Sequence, residues 1–555
     1  MRASSGKYTV PDEIRALRPM NLELPTTVKN VKGHFYVYFR IRVPDPNKPG
    51  KLKNASGKCI GKIEGGKFIP SQGRGSEDLR YMDVEMKDYG EYAIALKCSE
   101  DVLEQLEGTF GTEDARRIYA IAIIWFIDSY TPSSYIKDIF DDSILSNKWP
   151  TLSFSENTID EFLINLGRHS TTCEKFSQGL IDHSSGLTAI DAHVILSCSR
   201  QNDLADYGNK YRKIGNKQVN ILEAFDVENN HPLTSKAFAG GVPDKSAVQE
   251  LFETYQFRNT TFIVDMGFYS EENVGLYRAN GNHFVIPLSE NLAVSKAMRT
   301  TVQFTGSFQY EKQSENGQIE SVTILYREST MSELEDIAQT LLDDDIRRKN
   351  EESIASCPKG VKPKKYYHRK ITRTNYGQDR VIMYRDEQMH EALSREFQEQ
   401  IGQDNEHTQE RYEELEPYFG LILLRTEKDG TAKEIYITYK KRWRIETYYN
   451  HVKNDTEIEG THSQDYYSMQ GTAFIQMIEG LIYSRFMKQL QGNTSTYINR
   501  MSKRECLTKA AHVKMSKHQD GKWYRTTDTK RTDMIMVAMG IDVEEDQRKL
   551  NTNVF

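Results

Sequence analysis

Between Leu187 and Pro287 the period of the hydrophobic pattern changes from strand to helix and back. Leu187 to Ser197 (LTAIDAHVILS) is apolar and β-branched, and Gln218 to Phe225 is a second such run. Both predict strands. A polar turn, Glu228 to His231, leads to a third strand near Leu233 to Phe238. Asp244 then caps a helix whose Val248, Leu251 and Phe252 share one face. Thr261 to Val264 is a short buried strand ending at Asp265. Ser270 caps a helix through Arg278, Gly281 ends it, and His283 to Pro287 is a further strand. The last strand–helix–strand run predicts parallel pairing with a right-handed crossover. The expected order is three antiparallel strands, then parallel strands alternating with helices.

The flanks are less periodic. Residues 1–110 read as β-rich: His34 to Val43 alternates, and Lys58 to Pro70 reads as a hairpin with glycines at its turn. Residues 111–183 read as helical, with Ile118, Ala122, Trp125 and Phe126 near one face and Ser155 or Asn157 capping a helix through Leu166. Residues 184–289 form the first part of an α/β core, and 290–416 interrupt it with a hairpin around Asn316-Gly317, charged helices near 331–350 and 386–400, and a strand at Arg380 to Arg385. Residues 417–495 resume the core. Phe419 to Arg425 is a buried strand, Thr431 to Glu434 is a capping box opening one long helix through about Asn454, and Ala473 to Leu490 is an amphipathic helix. A basic C-terminal region, 496–555, follows.

The 555 residues allow several domains, and none of the apolar runs is long and uncharged enough to span a bilayer. The expectation is a protein without a membrane partner and without a secretory signal. Six scattered cysteines with no CxxC pair fit neither a zinc site nor a disulfide framework, and suit a reducing cytoplasm. The net charge of −7 argues against nucleic acid, but charge is sorted into blocks: residues 359–380 hold eight Lys/Arg against one acid, and residues 500–531 hold ten against three. Such blocks can build an anion-binding face on an acidic protein, although a single block is more often a solvated face.

Asp191 lies inside an apolar strand, where an ionised carboxylate is costly unless paired or metal-bound. Asp265 sits at the carboxyl end of a strand, where ligands of open α/β sheets bind; strand-end capping is an equal reading. Tyr439, Arg442, Glu446 and Lys453 fall within a helical stripe about 60° wide at ~100° per residue. By periodicity alone this stripe is an exposed face with an Arg442–Glu446 ion pair. Three carboxylates from two strands and a helix also suit hard divalent cations.

The spacing Tyr439-x2-Arg442-x3-Glu446-x6-Lys453 resembles the Tyr-Arg-Glu-Lys signature of insertion-sequence DDE transposases, the insertion-sequence-four-like group with a β-rich insertion. Ile190-Asp191-Ala192-His193 resembles that family's first-aspartate strand. Gly240-Gly241-x2-Asp244 resembles its glycine/aspartate turn, and Val264 to Ser270 its second-aspartate segment, with Met266 where Arg is common. Gly57 to Ile63 is similar to its N-terminal hairpin. The signature with both aspartates in order is specific.

The resemblance implies an α/β fold class with a ribonuclease-H-like catalytic core, a mixed sheet antiparallel then parallel, plus the β-rich insertion and an N-terminal β and helical region. It implies catalytic and metal-binding roles for Asp191, Asp265 and Glu446, with Mg²⁺ as cofactor and Mn²⁺ as substitute. The implied activity is cleavage at transposon ends followed by strand transfer. The implied partner is double-stranded DNA, both terminal inverted repeats and target, bound by a homodimer in a prokaryotic, nucleoid-associated setting. Tyr439, Arg442 and Lys453 would touch DNA. Lys364, Lys365, Arg369 and Lys370 could track it from the insertion, Arg500, Lys503, Arg504, Lys514 and Lys517 from the tail, and the 111–183 helices could read the ends. Trp443 and Tyr449 could stack on a displaced base, though packing is the simpler role, and His193 reads first as a core histidine. The competing functions are an inactive or domesticated DNA-binding relative, a different two-metal nuclease on the same fold, or a structural protein whose acids are caps and ion pairs.

Overall fold

The computed structural model describes residues 9–20, 25–44, 52–71, 85–129, 131–199, 201–208, 215–300, 303–313, 319–359, 361–404, 406–454, 460–461, 465–518, 520–526, 529–552 and 554. It divides into two compact units, Met1–Met86 with Ser516–Tyr524, and Lys87–Met515 with Arg525–Phe555.

In the first unit a short helix, α1 (Asp12–Ala16), accompanies four antiparallel strands in sequential order: β1 (Thr26–Val31), β2 (His34–Pro44), β3 (Leu52–Glu64) and β4 (Lys67–Pro70). The expected glycine hairpin joins β3 to β4. Gly65 and Gly66 both have positive φ, 59° and 73°, the backbone a tight two-residue hairpin turn demands. Val28, Val37 and Ile63 form a small core against Val10, Ile14 and Leu17.

The second unit begins near β5 (Glu85–Asp88), and the chain turns helical earlier than residue 110: α2 (Gly90–Cys98) and α3 (Glu100–Phe110) precede α4 (Thr112–Asp128), α5 (Ser133–Asp142), α6 (Leu145–Lys148), α7 (Glu156–Arg168) and α8 (Ser170–Asp182). The GEYAIALKC segment favours helix because Ala and Leu lose little side-chain freedom there, and nearly every side chain is buried. Ser155 caps α7, accepting from the Thr158 N–H at 3.2 Å.

The central sheet is mixed. Strands β6 (Leu187–Ser197), β7 (Gln218–Asp226) and β8 (His231–Ala239) are antiparallel neighbours, as the pattern predicts. α9 (Asp244–Thr254) leads to β9 (Thr261–Val264), which lies parallel to β6 on its other edge, and α10 (Glu271–Tyr277) leads to β10 (His283–Pro287), parallel to β9. Asp244 is the first residue of α9 rather than its cap; Pro243 holds that place. After α11 (Ala293–Arg299), the interrupting segment supplies β11 (Gly306–Gln313), β12 (Ile319–Thr330), α12 (Met331–Ala355), β13 (Arg380–Asp386), α13 (Glu387–Gln400) and α14 (Gln409–Leu415). The Asn316-Gly317 turn lies outside the described residues. Its strands do not make a sheet of their own: β13 pairs antiparallel with β14 (Leu421–Thr426), and β14 with β10, giving the order β11-β12-β13-β14-β10-β9-β6-β7-β8.

The expected long helix after Thr431 breaks. The capping box is present, but α15 (Ala432–Lys440) and α16 (Trp443–Asn454) are separate helices. The backbone tightens between them, with Arg442 N–H donating to the Tyr439 carbonyl at 3.0 Å and Ile445 N–H to Arg442 at 3.1 Å. Lys441 and Arg444 both pair with Glu228 in the β7–β8 turn, which seats the break on the sheet. A two-residue strand, β15 (Gly460–Thr461), runs parallel to the end of β6.

The final core helix, α17 (Tyr466–Gln491), is buried nearly all round rather than amphipathic, packed among α4, α7 and β8. It meets α7 through glycines on both sides. A Cβ on Gly471 would lie 2.2 Å from the Leu163 carbonyl oxygen, and one on Gly167 would lie 2.0 Å from that of Tyr467. Gly471→Ala must therefore push two backbones apart, an overpacking expected to cost roughly 1–3 kcal/mol. A lowered thermal midpoint with unchanged far-ultraviolet dichroism is the expected result; an unchanged midpoint would show that the helices can separate freely.

Candidate active site

Asp191 lies in mid-strand on β6. The pairing of β6 with β9 ends at Ile190–Val264, and β15 joins that edge only at Leu196. Asp191 and Asp265 are therefore the next residues beyond the last pair on adjacent parallel strands, which lie about 4.8 Å apart. Asp265 turns out of the strand and accepts from the Met266 N–H at 2.7 Å; Asp191 accepts from the Ala192 N–H at 2.8 Å.

α16 crosses this edge. The Tyr449 hydroxyl donates to the Asp191 carbonyl at 2.9 Å, and the ring is buried, so Tyr449 anchors the helix and cannot stack on a base in this arrangement. Glu446 sits in the first turn of α16. The helix break aims Arg442 inward: its guanidinium donates to Asp191 Oδ2 at 3.4 Å and to Glu446 Oε1. Arg442 and Asp191 are 15% and 18% exposed while Glu446 is 52% exposed, so the expected exposed i,i+4 pair is instead a half-buried bridge.

The four charges share one electrostatic neighbourhood. Burial pushes the Asp191 carboxyl up to about 6; the Ala192 N–H and Arg442 pull against it, and the charges of Asp265 and Glu446 add to it. Burial alone would lower Arg442, but Tyr439, Asp265, Asp191 and Glu446 outweigh it and hold the guanidinium above its ordinary value. Burial also raises Tyr439, with Arg442 opposing and Asp265 and Glu446 adding. Among the described residues no group of three or more His, Cys, Asp or Glu side chains is placed ready to hold a metal ion. The guanidinium lies between Asp191 and Glu446 instead. The donor set itself, three carboxylates on a partly open edge, has the chemistry a hard divalent cation takes.

The other sequence candidates divide. Lys453 lies in α16, and its side chain falls outside the described residues. Lys364, Lys365, Arg369 and Lys370 are exposed on the extended segment after α12, with the Lys364 and Lys365 ammonium groups 5.0 and 5.7 Å from the Tyr366 and Tyr367 ring centroids. Trp443 is 57% exposed beside Arg442. His193 is buried, 4.8 Å from the Tyr449 ring, as a core histidine. In the tail, Lys503 is buried with its ammonium 4.5 Å from the Phe126 centroid, and the partly exposed Lys514 pairs with Asp88. Sequence reasoning missed Glu223. It is the register partner of Asp191 on β7, is buried, and is pushed up to about 8 by burial, with Asp191 and Glu479 adding. A glutamate inside the apolar run QVNILEAF carried the same signal that singled out Asp191.

A family model described as the transposase DDE domain matches residues 182–478, a span that holds all three candidate acids. The chain belongs to the transposase DDE domain family. No curated protein gives a significant match. A cryo-EM structure of the piggyBac transposase synaptic complex with hairpin DNA aligns with 84% of this chain and 85% of that one, at 10% identity and a TM-score of 0.34. All six cysteines of this DDE family member are free, and no described helix is long and apolar enough to cross a membrane.

Proposed function

We propose that the protein is an active DDE transposase of the insertion-sequence-four-like group, cutting the ends of its own element and joining them to target DNA on a ribonuclease-H-like core. The observation carrying this reading is that residues far apart in sequence meet at the open edge of β6: Asp191 and Asp265 follow the last pair of the β6–β9 ladder, and Arg442 bonds both Asp191 and Glu446. The sheet order β8-β7-β6-β9-β10, three antiparallel strands followed by two parallel ones, supports the core assignment.

Asp191, Asp265 and Glu446 would hold Mg²⁺, or Mn²⁺ in its place. When bound, the metal supplies positive charge to the attacking and leaving oxygens of a phosphodiester displacement. The chain's own residues position the strand. Arg442 offers a planar fork to a phosphate, Lys453 a point charge, and Tyr439 a hydroxyl from the same stripe. The exposed cations at Lys364, Lys365, Arg369 and Lys370 extend the phosphate-binding surface. A homodimer would bring two ends together.

Supercoiled plasmid carrying the element's terminal repeats tests the proposal. Metal-dependent nicks at the repeat ends are expected. Binding without cutting would support an inactive relative, cutting without sequence preference a general nuclease, and no binding a structural role. Arg442→Ala should lose a charge-assisted contact of roughly 1.5–3 kcal/mol, lowering strand transfer about tenfold or more. Wild-type strand transfer by that variant would remove Arg442 from the DNA contacts.

A further inference from the structure

We propose that Arg442 is a displaceable internal counterion: its guanidinium occupies carboxylate oxygens that a divalent cation would share, and it must swing away before that cation is held. The inference deepens the transposase reading and rests on its assignment of Asp191, Asp265 and Glu446 as metal ligands. What it adds is an autoinhibitory contact inside the site, made by the chain's own cation.

The contacts name particular oxygens. Asp191 Oδ1 accepts from the Ala192 N–H at 2.8 Å, which leaves Oδ2, and Arg442 Nη1 reaches that oxygen at 3.4 Å. Arg442 Nη2 donates to Glu446 Oε1. One guanidinium therefore spans the strand and the helix that supply two of the three acids. Arginine does not give up its proton in a folded protein, so it leaves these oxygens only by moving. Left in place, it would repel a divalent ion at the same oxygens, and more strongly in a half-buried site than in water.

The competing account makes Arg442 a staple that fixes α16 to β6. Packing argues against it. Ile445, Tyr448, Tyr449 and Val452 of α16 are buried in the core, and the Tyr449 hydroxyl donates to the Asp191 carbonyl at 2.9 Å, so the helix is seated without Arg442. The Arg442 N–H is held by the Tyr439 carbonyl at 3.0 Å, which confines the movement to the side chain. Its neighbour Trp443 is exposed, and Glu446 is half-exposed, so this end of α16 borders water into which the guanidinium can turn. The two accounts differ in sign. Removing a staple loosens the carboxylates and weakens metal binding, whereas removing a competitor strengthens it. A guanidinium released by the cation is also free for a phosphate, so cation and phosphate should each favour the other's binding, as linkage requires.

Binding of Mn²⁺ to the full chain, followed by loss of the free-ion paramagnetic resonance signal, reads this sign without any cleavage. Arg442→Gln is expected to tighten Mn²⁺ binding about tenfold, within the range of coupling between sites that exchange a charge. Arg442→Lys keeps a cation at the site and should tighten it less. Because a substitution can disturb the site in other ways, the unaltered chain is also treated with phenylglyoxal, which modifies accessible guanidinium groups. The rate at Arg442, mapped by mass spectrometry of peptides, should rise severalfold when Mg²⁺ is added, while the fully buried Arg425 stays unmodified. Unchanged or weaker Mn²⁺ binding by Arg442→Gln, or no rise in modification of Arg442 with Mg²⁺, would overturn the proposal. Adding Asp191→Ala to each chain separates two kinds of failure. Mn²⁺ binding that is lost with Asp191 yet not tightened by Arg442→Gln ends the displacement alone. Binding indifferent to Asp191 ends the metal assignment, and the displacement with it.

Discussion

Asp191→Ala is expected to lower end cleavage by about a thousandfold or more, because the charge lost with a bound metal is worth several kcal/mol in the transition state and each ~1.4 kcal/mol is tenfold. Asp191 carries the largest expected effect of the three acids because of where it stands. It is the most enclosed carboxylate that Arg442 touches, it faces Asp265 across the end of the β6–β9 ladder, and its backbone carbonyl is held by Tyr449. The exposed Glu446 is freer to reposition and should tolerate Glu446→Asp better. Folding should survive Asp191→Ala, since the fold keeps Arg442 paired with Glu446 and relieves a buried carboxyl that burial already pushes up to about 6. Plasmid nicking measured beside duplex affinity separates the effects. Cleavage within tenfold of wild type would remove Asp191 from the metal set.

Much of this arrangement is legible in the sequence, and the reasons are local. The antiparallel-then-parallel order follows from runs such as TFIV and HFVIP separated by capped helices, and Ser155, Ser270 and Thr431 cap where the pattern places them. What escapes is whatever depends on distant partners. Nothing local says that β13 will pair with β14, so the interrupting segment reads as a separate body when its strands in fact widen the central sheet. The 431–454 periodicity runs unbroken through Lys441 and Arg442, yet the helix breaks there, where Lys441 and Arg444 pair with Glu228, and Arg442 turns inward while Glu446 stays exposed. α17 carries Glu479 and looks amphipathic, but Glu479 is buried against His451 at 3.0 Å, a pairing visible only in three dimensions. Glu223 is the one omission that the sequence could have prevented.

Arg425→Met should cost roughly 3–5 kcal/mol of stability, the usual penalty for removing one partner of a buried ion pair. Arg425 is a fully buried arginine, the penultimate residue of β14. Its guanidinium bonds Asp379 at 2.8 Å, Glu271 at 2.6 Å, the Tyr269 hydroxyl at 3.0 Å and the Thr374 hydroxyl at 3.1 Å. Asp379 is 2% exposed, and without Arg425 its only remaining ionic partner among the described residues is Arg278 at 3.1 Å. The cost is therefore that of a buried carboxylate left nearly alone rather than of a lost attraction. Two comparisons follow from this account. Glu271→Gln should cost only about 1 kcal/mol, because Glu271 is 43% exposed and water replaces the pairing. Adding Asp379→Asn to Arg425→Met should restore part of the loss, since it removes the stranded charge. The network also ties the Tyr269–Glu271 segment, which follows Asp265, to Thr374 and Asp379 of the interrupting segment, so Arg425→Met should open both to protease together. Denaturant midpoints for the three variants decide the matter. Equal losses in Arg425→Met and Glu271→Gln, or no recovery in the double variant, would mean that shape rather than charge holds this junction.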